Sequence, residues 1–133
     1  MNQPIPFFKR LVRLFVAAGC VTCAAAADTN VTHLNAAQAQ KLIAEKKVVV
    51  VDLRTPEEFA AGHIAGATNI NFRAAGFAQT LATLDKRQAY LLHCASGQRS
   101  RQALPVFERL EFQSLYHLDG GLKAWQKAKL PVE

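Results

Sequence analysis

From Val31 onward the apolar residues fall into two alternating rhythms. Asn35 precedes Ala36-Ala37-Gln38, a side-chain cap with Gln three residues on that predicts a helix start, and Ala39, Leu42 and Ile43 continue at helical spacing. Val48-Val49-Val50-Val51-Asp52-Leu53 is a continuous β-branched run of the kind a parallel sheet buries on both faces. Pro56 to Ala60 predicts a short helix, with Pro in its first turn and Glu57 and Glu58 near its positive end. Gly62 and Gly66 punctuate a loop, and Thr68-Asn69-Ile70-Asn71 predicts a brief strand. Phe77, Leu81 and Leu84 share one face of a further helix, and Ala89-Tyr90-Leu91-Leu92-His93 is a second buried strand. A helix through Leu104, Phe107 and Leu110 follows, then a strand at Leu115-Tyr116-His117-Leu118. Asp119-Gly120-Gly121 turns the chain into a last helix carrying Leu122 and Trp125, the latter expected to fill core space. Strands alternating with helices predict an α/β fold: an open, mainly parallel sheet with helices on both faces.

The 133 residues, half of them hydrophobic, suffice for one domain and leave no room for two. A formal charge of +6 overstates the basicity of that domain, because Lys9, Arg10 and Arg13 precede the first acid, Asp28. Without them 13 basic residues face 10 acidic ones, about +3, with no clustered basic stripe. A nucleic-acid partner is therefore not expected.

Residues 1–27 read as an export signal, leaving residues 28–133 as the mature domain. Lys9, Arg10 and Arg13 form a positive segment, and Leu14 to Ala27 is apolar and small, with cleavage favoured after Ala26 or Ala27. The apolar stretch, about 14 residues, falls short of the roughly 20 that span a bilayer, so no membrane span is expected in the mature chain. An uncleaved anchor is one alternative. Lipidation at Cys20 is another, although Ala17 stands where such a site usually has Leu. The expected location is outside the cytoplasm, in the periplasm. Cys20-Val21-Thr22-Cys23 has redox-pair spacing, but it lies inside the apolar part of the signal. Of three cysteines, only Cys94 then remains, and an unpaired thiol in an oxidising compartment calls for an explanation.

Cys94 sits between a buried strand and a helix, where the carboxyl ends of strands in open sheets bind ligands. The small residues Ala95, Ser96 and Gly97 let the backbone curl and turn N–H groups inward, which makes an anion site at the helix start. Arg99 adds positive charge. These influences favour thiolate over thiol, against the plainer reading of a small buried core cysteine.

The loop Cys94-Ala95-Ser96-Gly97-Gln98-Arg99-Ser100 resembles the active-site loop of the rhodanese family, which often reads C-x-x-G-x-R-S. Val51-Asp52-Leu53-Arg54-Thr55-Pro56-Glu57-Glu58-Phe59 with Gly62-His63-Ile64-Ala65-Gly66-Ala67-Thr68-Asn69-Ile70 resembles its first signature. Leu118-Asp119-Gly120-Gly121-Leu122-Lys123-Ala124-Trp125 is similar to its closing Gly-Gly and Trp element. The three blocks stand in the family's order over about residues 31–130. The resemblance implies a five-stranded parallel sheet and a sulfurtransferase needing no metal or organic cofactor. Cys94 would take sulfane sulfur from a small anionic donor (thiosulfate, polysulfide or persulfide), hold it as a persulfide, and pass it to cyanide, a thiol or a protein acceptor. The amides from Ala95 to Ser100 would stabilise the carried anion, and Arg99 would bind anionic groups. A non-catalytic sulfur carrier is the alternative from another class. A cysteine-dependent phosphatase or arsenate reductase is a further one, but such phosphatases place Arg six positions after Cys, and Arg99 is five after Cys94.

The same resemblance puts Asp52 and Arg54 near the active-site end as supporting residues. Asp52 is expected to be a buried ion-pair partner, and Arg54 either its mate or a substrate-side charge. Glu58 is expected in a helix-start or ion-pair role, His63 in a structural hydrogen bond, and His93 at the strand end beside the nucleophile. His33 and His117 are expected to be structural. The four His show no metal-ligand spacing. Two positions depart from the family pattern. Pro105 inside the helix after the loop predicts a kink or a late start. Glu111 stands where relatives commonly end that helix with Gly, so a left-handed cap there would cost on the order of 1 kcal/mol.

Overall fold

A computed structural model describes residues 31–133; the expected export signal, with Cys20 and Cys23, lies outside the described residues. The order of elements is β1 (Val31–Leu34), α1 (Ala36–Ala44), β2 (Val49–Asp52), α2 (Pro56–Ala60), β3 (Thr68–Asn69), α3 (Phe77–Ala82), β4 (Ala89–His93), α4 (Gln98–Arg109), β5 (Ser114–Leu118) and α5 (Gly121–Lys127). The strands pair in the order β1-β5-β4-β2-β3, every pair parallel. This is the expected open five-stranded sheet, and it puts β4, the strand that delivers Cys94, between β5 and β2.

The strands β1, β2, β4 and β5 feed two cores, because alternate side chains leave the sheet on opposite faces. Val51, Tyr90, Leu92 and Leu115 face Phe77 and Leu81 of α3 and Ala103 and Phe107 of α4. Val50, Leu91 and Leu118 face Ala36 and Ala39 of α1 and Leu122 and Trp125 of α5. Both faces are covered, which is why the valine run reads as continuously apolar.

Asn35 caps α1 through a complete capping box with Gln38, as the sequence predicts, and Thr55 and Glu58 make a second one at α2. Three helices end in the same way. In α1, α4 and α5 the residue after the cap is left-handed and non-glycine: Lys46 (φ 53), Glu111 (φ 64) and Lys129 (φ 59). At Glu111 its own N–H donates to the Glu108 carbonyl and the N–H of Phe112 to that of Phe107, the paired bonds of a Schellman motif. The left-handed conformation expected at Glu111 is present. Pro105 does not delay α4, which starts at Gln98 and runs through to Arg109. The carbonyl that Pro105 leaves unpartnered belongs to Arg101, an exposed residue that water can serve. Leu84 lies past the end of α3 but packs on the same core as Phe77 and Leu81. Among the described residues no helix is long and apolar enough to cross a membrane.

Candidate active site

β4 ends at His93, and the next residue, Cys94, is 1% exposed. The Gly97 N–H donates to its Sγ at 3.1 Å, and the Ser100 Oγ lies 3.5 Å from it. Burial pushes the thiol up. The Ser100 hydroxyl and the backbone amides of Ser100, Gly97 and Ser96 pull it further the other way, so it titrates below its ordinary value. The sulfur is buried among donors rather than hydrocarbon.

Two backbone features give the loop this shape. Gly97 has φ 100, a conformation that side chains resist, and it turns its own N–H onto the sulfur as the chain enters α4. The start of α5 then clasps the loop from outside. Leu122 N–H donates to the Cys94 carbonyl at 2.8 Å and Lys123 N–H to that of Ala95 at 3.0 Å. With those carbonyls held outward, the amides that follow are left facing the sulfur. The approach is so close that a β-carbon on Gly121 would collide with the Cys94 carbonyl oxygen and come within 2.8 Å of the Ala95 carbonyl carbon.

Beside the loop a cavity of about 250 Å³ is lined by Arg54, Glu58, Gly62, Ala95 and Lys123, among others. Arg99, expected as an open cation for anions, is engaged: its Nη1 and Nη2 donate to the two Glu58 oxygens at 2.8 and 2.9 Å. The Arg99 hydrogen bonds, with the Thr55 amide, hold the Glu58 carboxyl at about 2. Glu58 thus fills both roles expected of it, in the helix-start capping box and in an ion pair. Asp52 is fully buried and receives the Arg54 Nε and Nη2 at 2.9 and 2.7 Å, while Nη2 also donates to the Gly62 carbonyl at 2.7 Å. Arg54 is thus the mate of Asp52, and it also lines the cavity. Ser96 and Gln98 point to the exposed side of the loop.

His63 bonds through Nδ1 to the Phe59 carbonyl at 2.9 Å, the expected structural role. His93 is wholly buried, with Nδ1 3.1 Å from the Cys94 carbonyl and Nε2 without a hydrogen-bond partner; burial first of all keeps its pKa low, and the ring neutral.

The sequence hides a second cluster. The parallel pairing of β1 and β5 sets His33 opposite His117. His117 Nε2 lies 2.7 Å from the Ser100 Oγ, and its Nδ1 lies 2.9 Å from Asp119 Oδ1, which His33 Nδ1 also reaches at 3.0 Å. His33 and Asp119 are 86 positions apart and His117 and Ser100 are 17 apart, so no spacing rule could have joined them. The ligand-type atoms of His33, His117 and Asp119 lie within 4.8 Å of one another, a proximity that spacing along the chain does not reveal. The arrangement is nonetheless that of a hydrogen-bonded ion array. Both Nδ1 atoms address one carboxylate oxygen, and the Arg101 guanidinium stands 3.6 Å from it, where a second cation would be repelled.

Residues 35–128 match the Rhodanese-like domain family. The thiosulfate sulfurtransferase GlpE of Vibrio cholerae is 29% identical over 101 residues, 76% of this chain and 93% of that protein. The thiosulfate sulfurtransferase GlpE of Pseudoalteromonas translucida is 30% identical over 96 residues, 72% of this chain and 90% of that protein. Among solved structures, a rhodanese-related protein from Thermoplasma volcanium superposes with a TM-score of 0.69 at 28% identity, covering 77% of this chain and 97% of that one.

Proposed function

The chain belongs to the Rhodanese-like domain family, and on that footing we propose that it is a sulfurtransferase working through a persulfide on Cys94. The single observation that carries this reading is the Cys94 sulfur at the end of the central strand, turned toward the amides of Ser96, Gly97 and Ser100. The same amides suit the thiolate and, one sulfur further out, a persulfide anion. The Cys94 thiolate attacks the outer sulfur of thiosulfate, the S–S bond breaks, and sulfite leaves with the bonding pair. The persulfide anion then gives its terminal sulfur to cyanide, forming thiocyanate, or to a thiolate, forming a new persulfide; Cys94 returns as thiolate. Lys123 and Arg54 at the cavity favour a small anionic donor.

Intact-mass measurement after incubation with thiosulfate tests this. A gain of about 32 Da, absent in Cys94→Ser, is the expected result for covalent sulfur transfer. No gain with thiosulfate or polysulfide sinks the proposal. Turnover on adding cyanide separates an enzyme from a carrier that only loads, and aryl phosphate hydrolysis without sulfur loading would favour the phosphatase alternative.

We also propose that the domain acts outside the cytoplasm after cleavage of the export signal following Ala26 or Ala27. Amino-terminal sequencing of the protein from a periplasmic extract should begin at Ala27 or Asp28. Recovery of the intact chain in the cytosol would refute export.

A further inference from the structure

From Cys94 polar groups continue through Ser100 and His117 to the half-exposed Asp119. Sγ lies 3.5 Å from Ser100 Oγ, Oγ lies 2.7 Å from His117 Nε2, and His117 Nδ1 lies 2.9 Å from Asp119 Oδ1. The direction of this chain follows from its far end. Asp119 accepts from His33 and faces Arg101, so it is an ionised acceptor, and the His117 proton must sit on Nδ1. Nε2 is then a bare lone pair, and the Ser100 hydroxyl donates to it. The competing acceptor for that proton, the Gly97 carbonyl, is farther away at 3.1 Å. Ser100 Oγ in turn has lone pairs free for the Cys94 S–H.

We propose that His117, held by Asp119, takes the Cys94 thiol proton through the Ser100 hydroxyl, so that the proton leaves by a route separate from the one the sulfur donor uses. The inference rests on the reading of Cys94 as a thiolate nucleophile. In the step, the S–H proton passes to Ser100 Oγ as the Ser100 proton passes to Nε2. A thiolate and an imidazolium form, Ser100 is regenerated, and its hydroxyl now points at the thiolate. A thiol that is 1% exposed has little water to take its proton, whereas the side chains of His33 and Asp119 are 48% and 45% exposed. Those two line a second cavity of about 590 Å³, with Asn35 and Gln38, whereas Ala95 and Glu58 line the first. His117 and Ser100 act through Cys94 and position its proton; neither touches the donor.

The charged groups facing this chain are Asp119 on its own side, His33 from β1, Arg101 and Arg99 from α4, and His93 from β4. Their signs make the test sharp. Asp119→Asn removes a negative charge, and by simple electrostatics the Cys94 thiol should then ionise at lower pH. The relay demands the opposite, because His117 loses the group that stabilises its imidazolium. The thiolate absorbance and the rate of alkylation by iodoacetamide, followed against pH, should shift upward by about one unit, a roughly tenfold slower alkylation below the midpoint. His117→Gln should shift the same way. A midpoint that falls or stays overturns the relay. Nitrogen NMR of the imidazoles needs no relay variant: in Cys94→Ala the His117 midpoint should drop relative to the native protein, and an unchanged one refutes the coupling. None of these measurements uses a sulfur donor. Persulfide loading with unmoved midpoints defeats the relay alone, and shifted midpoints without loading defeat the proposed activity alone.

Discussion

The Glu58 carboxylate stands at the cavity beside the Cys94 loop, and it holds the guanidinium that an anionic donor would seek. A negative charge here works against the proposed substrate twice, by repelling it and by occupying Arg99. Glu58→Gln keeps the capping box at α2, since Gln serves the N3 position as well as Glu. It should lower the KM for thiosulfate several-fold with little change in kcat, and a raised or unaltered KM would show that Arg99 does its work only while paired. Arg99 itself was legible in the sequence as a cation near Cys94, but its partner was not, because the two are 41 positions apart and meet only through the fold. The same holds for His117. Cys94 announced itself by its neighbours in the chain, Ala95, Ser96 and Gly97. The residues behind it come from β1, β5 and α4, and nothing local marks them.

Among the elements, local rules predicted well wherever they concern contiguous residues: the capping box at α1 and the valine strand were both visible in short windows, whereas the left-handed residue at Glu111 was signalled only by the resemblance to relatives that have Gly there. What such windows cannot contain is how one element grips another. The start of α5 fixes the active loop through two hydrogen bonds to the Cys94 and Ala95 carbonyls, and Gly121 is the point of contact. Gly121→Ala sets a β-carbon against backbone that is itself held, at φ 60. A loss of more than about 2 kcal/mol in urea unfolding is expected, together with slower alkylation of Cys94 as the amides turn from the sulfur. Wild-type alkylation in a folded Gly121→Ala would mean that the clasp does not shape the loop. The reverse change helps at the other helix ends. Glu111→Gly relieves a non-glycine left-handed residue without touching either core, and should stabilise by on the order of 1 kcal/mol.

At the scale of the whole molecule, strand order β1-β5-β4-β2-β3 assembles the site, because it sets β5 beside β4 and so brings His117 against Ser100 beside Cys94. That order depends on which segments pair across the chain, not on any segment's own pattern. Burying polar groups between strands also has a consequence for stability. His93 has a pKa lowered from 6.5, by burial first, so below about pH 6.5 the unfolded chain binds a proton that the folded one refuses. Stability should therefore fall as pH drops through this range. Glu58 adds a second loss lower down. Its folded carboxyl, held at about 2 against 4.5, contributes stability that is whole above pH 4.5 and vanishes as pH falls toward 2. Its side chain is 37% exposed and solvent screens the pair, so that contribution is on the order of 1 kcal/mol. Urea unfolding at a series of pH values should show both legs, and Glu58→Gln should abolish the lower one while leaving the upper one intact. If instead the upper leg disappears with Glu58, the loss near pH 6 belongs to the Arg99 pair, and His93 is not held neutral by burial.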